Sequence, residues 1–196
     1  MRAILFDLDG TLLHYTRDYR DVLADAIRAV DGEVREEWLD AYDDRFFDIL
    51  EACGPDPYRR AYAPFGSDPD AFRTELLERE VEACEPPPGA HADLARLGER
   101  FHLGVLSNGV REWQLEKLRS FDLLDHFDAV VTSDEAGAHK PDSAVFSLAE
   151  DRLPAEGYAL VGDADADVEG GRAVGWAVHR YGGDGYSDLP AAFGWD

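Results

Sequence analysis

Two carboxylates, Asp7 and Asp9, stand two residues apart at the end of the chain's first apolar run, Ala3 to Phe6, and are followed by Gly10 and Thr11. A short apolar run of this kind makes a strand buried on both faces. Residues two apart on a strand point the same way, so both carboxylates can leave the strand tip on one side, where Gly10 frees the backbone to turn sharply. Crowded carboxylates repel each other unless a cation or a shared proton offsets the charge. Such an arrangement is costly for a core and useful for a site; the plainer alternative is a strand followed by an acidic turn. Three later clusters add to it: Ser107-Asn108-Gly109, then Lys140-Pro141, then Gly162-Asp163 with Asp165 and Asp167.

The elements needed to gather these clusters are legible in the hydrophobic pattern. From Ala90 onward, apolar runs alternate with helical spacing. His102–Leu106, Ala129–Thr132, Ala159–Val161 and Trp176–His179 read as strands. Segments around Leu94, Trp113 and Phe146 read as helices between them. Strands separated by helices imply parallel pairing and a doubly wound α/β sheet, in which ligands bind at the carboxyl ends of the strands. The polar clusters all fall at such ends. Between Tyr15 and Glu85 the texture differs. Val22, Ala26, Ile27 and Val30 predict one helix closed by Asp31-Gly32, and Val34 to Leu50 predicts a second, broken at Cys53-Gly54-Pro55. A third is expected from Asp68-Pro69, with Phe72, Leu76, Leu77 and Val81 as its apolar stripe. The expected organisation is an α/β core over 1–14 and 86–196, with a small all-helical domain over 15–85 that has no strand of its own. A flexible turn is expected at Gly182 to Gly185.

The 196 residues, 45% of them hydrophobic, suit one medium domain with a modest insertion. Asp and Glu number 42 against 19 Lys and Arg, a formal net charge of -23. That surface repels phosphate backbones and anionic membranes, so neither nucleic acid nor membrane is an expected partner. Lys117 and Lys140 are the only lysines. Arginine in place of lysine, with carboxylates in every segment, resembles proteins adapted to high salt, where a Debye length of about 3 Å suppresses self-repulsion. The alternative is an ordinary acidic protein. Cys53 and Cys84 follow no metal-ligand spacing and suggest no disulfide framework. Arg2 and Asp7 bracket the N-terminal apolar stretch; no secretory signal or long apolar span is legible, and the cytoplasm is the expected location.

Taken in order, Asp7-x-Asp9-Gly-Thr, Ser107-Asn108-Gly109, Lys140-Pro141 and Gly162-Asp163 with Asp167 resemble the four motifs of the haloacid dehalogenase superfamily. The resemblance runs from Met1 to about His179 and includes a helical cap inserted after the first motif. Gln114, Lys117-Leu118 and Ser133-Asp134-Glu135 are similar to the connecting text of phosphatases in the subgroup with that cap. It implies phosphoryl transfer, which asks for an in-line nucleophile and positive charge around the equatorial oxygens. Asp7 would be the nucleophile, forming an aspartyl-phosphate. Asp9 would protonate the leaving alkoxide and then deprotonate the attacking water, a split of roles that two carboxylates in different surroundings can support. Thr11 would steady the turn. Ser107 and the amides of Asn108 and Gly109 would cradle the phosphate ahead of a helix; judged alone, Ser107 is equally a plain helix N-cap. Lys140 would reach a phosphoryl oxygen with a compact ammonium; the alternative is a surface lysine beside a proline turn. Mg²⁺ is the implied cofactor, held by Asp7, the backbone carbonyl of Asp9, and Asp163, with water and substrate filling the remaining positions. Asp167 would act through water or by orienting Lys140. Asp165 could exchange roles with it in another loop register, but Asp167-Val168 followed by Gly170-Gly171 is the better match.

The expected activity is therefore Mg²⁺-dependent hydrolysis of a small phosphorylated metabolite. A phosphomutase differs by returning the phosphoryl group, and the motifs do not separate the two. A 2-haloacid dehalogenase also uses the first aspartate but has no acid at the position of Asp9. A receiver-type signalling domain is much shorter and places its phosphorylated aspartate in a different order. Tyr15, Arg17, Tyr19, Arg45, Arg59 and Arg60 are cap candidates for reading a substrate, or for simply stabilising the cap.

Overall fold

The computed structural model describes residues 1–183 and 185–195; the turn expected at 182–185 contains Asp184, which lies outside the described residues. The chain divides into two compact units, Met1–His14 with Pro86–Asp196, and Tyr15–Glu85.

The first unit is built on a five-stranded parallel sheet: β1 (Ala3–Phe6), β2 (His102–Ser107), β3 (Ala129–Thr132), β4 (Tyr158–Gly162) and β5 (Ala177–Arg180). Their order across the sheet is β3-β2-β1-β4-β5. β1 lies in the middle, and all four of its side chains are buried, as a continuous apolar run requires. Phe6 stands opposite Val105 of β2 and Val161 of β4, so the residues that follow these strands emerge at one edge. The strand order reverses at β1, which makes the crevice beyond its carboxyl end the topological switch point where such sheets bind ligands. Helices flank the sheet. Ala3, Leu5, Leu106, Val131 and Leu160 pack with Val145, Phe146 and Ala149 in one cluster. Phe146 also meets Trp176 edge-on, with ring centroids 5.2 Å apart. Truncating Leu5, Leu106, Leu160 or Phe146 to alanine would cost about 2–5 kcal/mol.

The second unit holds four helices: α1 (Tyr19–Asp31), α2 (Glu36–Glu51), α3 (Pro57–Tyr62) and α4 (Pro69–Glu82). The Asp18 side chain caps α1 by accepting from the Arg20 N–H, and Gly32 closes that helix in the left-handed conformation. Asp68 caps α4, accepting from the amides of Asp70 and Ala71, with Pro69 in the first turn. Tyr62 stacks on Phe72 at 4.0 Å, and Tyr42 meets the same ring edge-on at 5.4 Å.

Four details depart from the pattern expected of the sequence. α3 was not anticipated; its six residues are too few for a 3.6-residue period to repeat. Two-residue strands occur at His14–Tyr15 and Cys84–Glu85, where an insertion without strands was expected; the Thr16 amide also donates to the Ala83 carbonyl at 2.7 Å. A short helix, Ser133–Ala136, occupies part of the loop after β3. On α4 the buried stripe is Phe72, Leu76 and Glu80, while Leu77 and Val81 are only half-buried. Glu80 is accommodated because Tyr15 and Tyr19 donate to its two oxygens at 2.9 and 3.1 Å. Among the described residues, no helix is long and apolar enough to cross a membrane.

Candidate active site

Asp7 is the first residue past β1. Its amide donates to the Val161 carbonyl at 2.8 Å, which extends the pairing with β4 by one step and fixes where the side chain emerges. Its carboxylate meets Lys140 Nζ at 2.8 Å. The Lys140 ammonium donates to Asp7 Oδ1 and to the Leu106 carbonyl, both at 2.8 Å, and forms an ion pair with Asp167 Oδ1 at 2.5 Å. Burial pulls this ammonium down, but Asp7 and Asp167 more than offset that and hold its pKa above the ordinary lysine range. Burial also pushes the Asp7 carboxyl up to about 7, against the pull of Lys140 and with Asp167 adding to the rise.

Asn108 contributes in a way its type alone did not indicate. Its side-chain oxygen accepts from the Lys140 amide at 2.8 Å and its side-chain nitrogen donates to the Lys140 carbonyl at 3.2 Å. The side chain thus pins the lysine loop. Ser107 ends β2, is buried, and accepts from Gln114 Nε2 at 2.9 Å. It is not a helix N-cap: the next helix, α6 (Arg111–Ser120, with α5 at Ala90–Gly98), begins after Val110.

Asp163 follows β4. Thr11 Oγ1 donates to its Oδ1 at 3.1 Å, so the role of Thr11 is to orient this carboxylate as well as to complete the turn. The Tyr186 hydroxyl in turn donates to the Thr11 carbonyl at 2.7 Å. Asp165 and Asp167 differ sharply in burial. Asp167 is fully buried against Lys140, and its second oxygen accepts from the Ala164 amide at 3.1 Å. The Asp165 side chain is 82% exposed and pairs with Arg180. Gly162 permits this, since a β-carbon there would lie 2.4 Å from the Asp167 carboxylate.

Asp9 lies in a different electrostatic setting from Asp7. Lys117 Nζ reaches its Oδ1 at 2.5 Å and Gln114 Nε2 donates to its Oδ2 at 2.9 Å. Burial raises its pKa, but the Lys117 charge and these hydrogen bonds prevail and hold it below the usual carboxylate range. Both partners come from α6. In the sequence they resemble only the text that connects the motifs of the family, with no role of their own.

Asp7, Asp9, Ser107, Asn108, Lys140 and Asp167 line one open cavity of about 200 Å³. Beside it, Asp7, Asp163 and Asp167 each offer a carboxylate oxygen within 4.8 Å of the others. Hard oxygen donors in that number fit a hard divalent cation that keeps some water and substrate ligands. The cap candidates are engaged within their own unit: Tyr15 and Tyr19 with Glu80, Arg17 with Asp25 at 2.7 Å, Arg59 with Asp70 at 2.7 Å, and Arg60 with the Pro55 carbonyl at 3.3 Å, while Arg45 is exposed.

A family model described as haloacid dehalogenase-like hydrolase matches residues 1–175. A phosphoglycolate phosphatase of Aquifex aeolicus is 30% identical over 183 residues, covering 89% of this chain and 82% of the relative. A phosphoserine phosphatase of Thermus thermophilus is 31% identical, covering 89% and 86%. Among solved structures, a HAD phosphatase from Thermococcus onnurineus superposes with a TM-score of 0.68 at 26% identity, covering 94% of this chain and 88% of that one.

Proposed function

The chain belongs to the haloacid dehalogenase-like hydrolases, and on that premise we propose that it is a Mg²⁺-dependent phosphomonoesterase working through an aspartyl-phosphate on Asp7. The observation that carries the reading is that Asp7 and Asp9 line one cavity with Ser107, Asn108 and Lys140 while being held by different cations. A haloalkanoate hydrolase has no leaving alkoxide to protonate, so the acid role proposed for Asp9 would have nothing to act on there.

In the first half-reaction an Asp7 oxygen attacks phosphorus, the bond to the leaving oxygen breaks, and Asp9 gives that oxygen a proton. In the second, water attacks the phosphorus of the aspartyl-phosphate, Asp9 takes its proton, and phosphate leaves with Asp7 restored. Lys140, Ser107 and the amides after it neutralise and orient the phosphoryl oxygens. Asp7, Asp163 and the Asp9 carbonyl would hold Mg²⁺, which would supply positive charge that favours ionised Asp7 and offsets charge on the phosphoryl group. Asp167 keeps Lys140 in place. A phosphoryl dianion beside Asp9 disfavours its charged form, which is how a carboxyl held low at rest acquires the proton it must give.

The substrate class we propose is a small phosphorylated metabolite, selected by the helical segment 15–85 acting as a cap. The names of the phosphoglycolate and phosphoserine phosphatase relatives put compact phosphorylated acids first among candidates. The composition supports a salt-adapted enzyme with neither nucleic acid nor membrane as partner. The test is phosphate release from a panel of phosphorylated acids, sugar phosphates and nucleoside monophosphates, with Mg²⁺ at high KCl. Asp7→Asn should abolish both turnover and acid-stable phosphoenzyme while the protein remains folded. Phosphate release at the wild-type rate by Asp7→Asn would overturn the reading.

A further inference from the structure

Among 19 basic residues the chain keeps lysine at two positions only. Both lysine side chains are 2% exposed, and each meets one carboxylate of the pair that opens the site: Lys140 meets Asp7 at 2.8 Å and Lys117 meets Asp9 at 2.5 Å. Burying an ammonium is costly, and only a close partner offsets the lost hydration. A base needed merely for the surface is arginine everywhere else in this chain. Lysine survives where a compact point charge must end a narrow path, which a planar guanidinium fork cannot do. Lys140 has a role in the reaction proposed above; Lys117 has none yet.

Gln114 lies three residues before Lys117 on α6, hence on the same helical face. It is 2% exposed, and its Nε2 donates at once to Asp9 Oδ2 and to Ser107 Oγ, both at 2.9 Å. The glycine of the second cluster leaves room for it: a β-carbon at Gly109 would lie 2.5 Å from Gln114 Nε2. One helix face thus holds both oxygens of Asp9 and ties Asp9 to the Ser107 hydroxyl.

We infer that Lys117 and Gln114 are positioning residues for Asp9, fixing the direction from which its carboxyl meets the leaving oxygen and then the attacking water. The inference rests on the phosphomonoesterase reading, which assigns Asp9 that work. Without the clamp, the Asp9 side chain, which is 38% exposed, turns among its rotamers in water. A misdirected acid–base group forfeits part of the roughly 10²–10⁴-fold that such a group contributes.

The test compares wild type, Lys117→Met, Asp9→Asn and the double variant in two measurements. In thermal melts the ion pair makes the effects non-additive: Lys117→Met should lower the midpoint by about 5 °C or more with Asp9 present, and by clearly less in the Asp9→Asn background. Equal losses in both backgrounds would overturn the clamp. In single-turnover release of the leaving alcohol, Lys117→Met should lose about 10–10²-fold on an alkyl phosphate. On p-nitrophenyl phosphate, whose leaving group needs little protonation, it should lose about 3-fold or less. In the Asp9→Asn background the same substitution should cost almost nothing. Equal losses on the two esters, or an undiminished loss in that background, would overturn the inference. Gln114→Leu should show the same substrate-dependent loss, which keeps the inference falsifiable should Lys117→Met not fold. Wild-type protein that cleaves neither ester nor any member of the panel overturns the phosphomonoesterase reading instead, and the melts still decide whether the clamp exists.

Discussion

A β-carbon at Gly10 would lie 2.6 Å from Asp163 Oδ2. Gly10 also sits at φ +86°, where side chains are strained. The turn after β1 therefore brings the backbone against the carboxylate that Thr11 orients, and only glycine allows it. Gly10→Ala is expected to displace Asp163 and to cost about 1–2 kcal/mol in backbone strain alone. The check is the rise in melting midpoint on adding MgCl₂, which should be largely lost in the variant. A full Mg²⁺-dependent rise in Gly10→Ala would show that this contact does not shape the metal site.

A second expectation concerns pH. Burial raises the Asp7 carboxyl from 3.8 to about 7 in the folded, metal-free protein. Between those values the folded chain holds a proton that the unfolded chain has released, so this group makes stability fall as pH rises across that window. Asp7→Asn cannot titrate there. In EDTA, the midpoint of Asp7→Asn minus that of wild type should climb from pH 4 to pH 7 and then level off. Loss of a Lys140 partner adds an offset that does not follow this slope. A difference that is flat or falls with pH would refute the burial argument.

What was legible in the sequence follows from where the information sits. The Asp7–Asp9 pair, Ser107 and Asp163 each adjoin an apolar strand, so strand pattern and polar cluster reinforce each other locally, and parallel pairing then gathers them; Lys140 lies beyond a short helix after β3 and was legible by its rarity and its proline neighbour. The helix ends marked by Gly32 and Asp68 were readable for the same reason, being local. Gln114 and Lys117 were not, because they lie inside a helix and act on Asp9 from 105 and 108 residues away. The rarity of lysine is the one signal in the sequence that singles out Lys117 together with Lys140. Glu80 was missed because an apolar stripe hides a buried carboxylate whose partners, Tyr15 and Tyr19, lie 65 and 61 residues earlier.

That buried carboxylate gives a third expectation. Tyr15 and Tyr19 each donate to one oxygen of Glu80, which is 2% exposed. Glu80→Leu removes both acceptors and leaves two phenols to find others; an unmet buried donor costs about 1–3 kcal/mol. Tyr15→Phe removes one donor and leaves the carboxylate held by Tyr19. Denaturant unfolding should therefore rank Glu80→Leu well below Tyr15→Phe in stability. The opposite ranking would mean that the phenols, rather than the carboxylate, organise this cluster.

The last expectation separates the charge of the whole chain from the charge of the site. A formal net charge of -23 makes the compact state repel itself at low salt. Molar KCl screens exposed charges beyond about 3 Å and should raise the melting midpoint and the activity together. Mg²⁺ should stabilise by a different route, binding the folded site in preference to the unfolded chain. The three carboxylates of Asp7, Asp163 and Asp167 meet within 4.8 Å only when β1 and β4 are paired. Its effect should therefore saturate at one site, persist at high KCl where general screening is already complete, and largely vanish in Asp163→Asn. The salt effect should survive that substitution, because removing one charge of so many barely changes the total. The measurement is a thermal melt of both proteins across KCl, with and without MgCl₂. Equal stability at low and high salt would sink the salt-adaptation proposal alone. A full Mg²⁺ shift in Asp163→Asn at high KCl would sink the metal-ligand assignment alone.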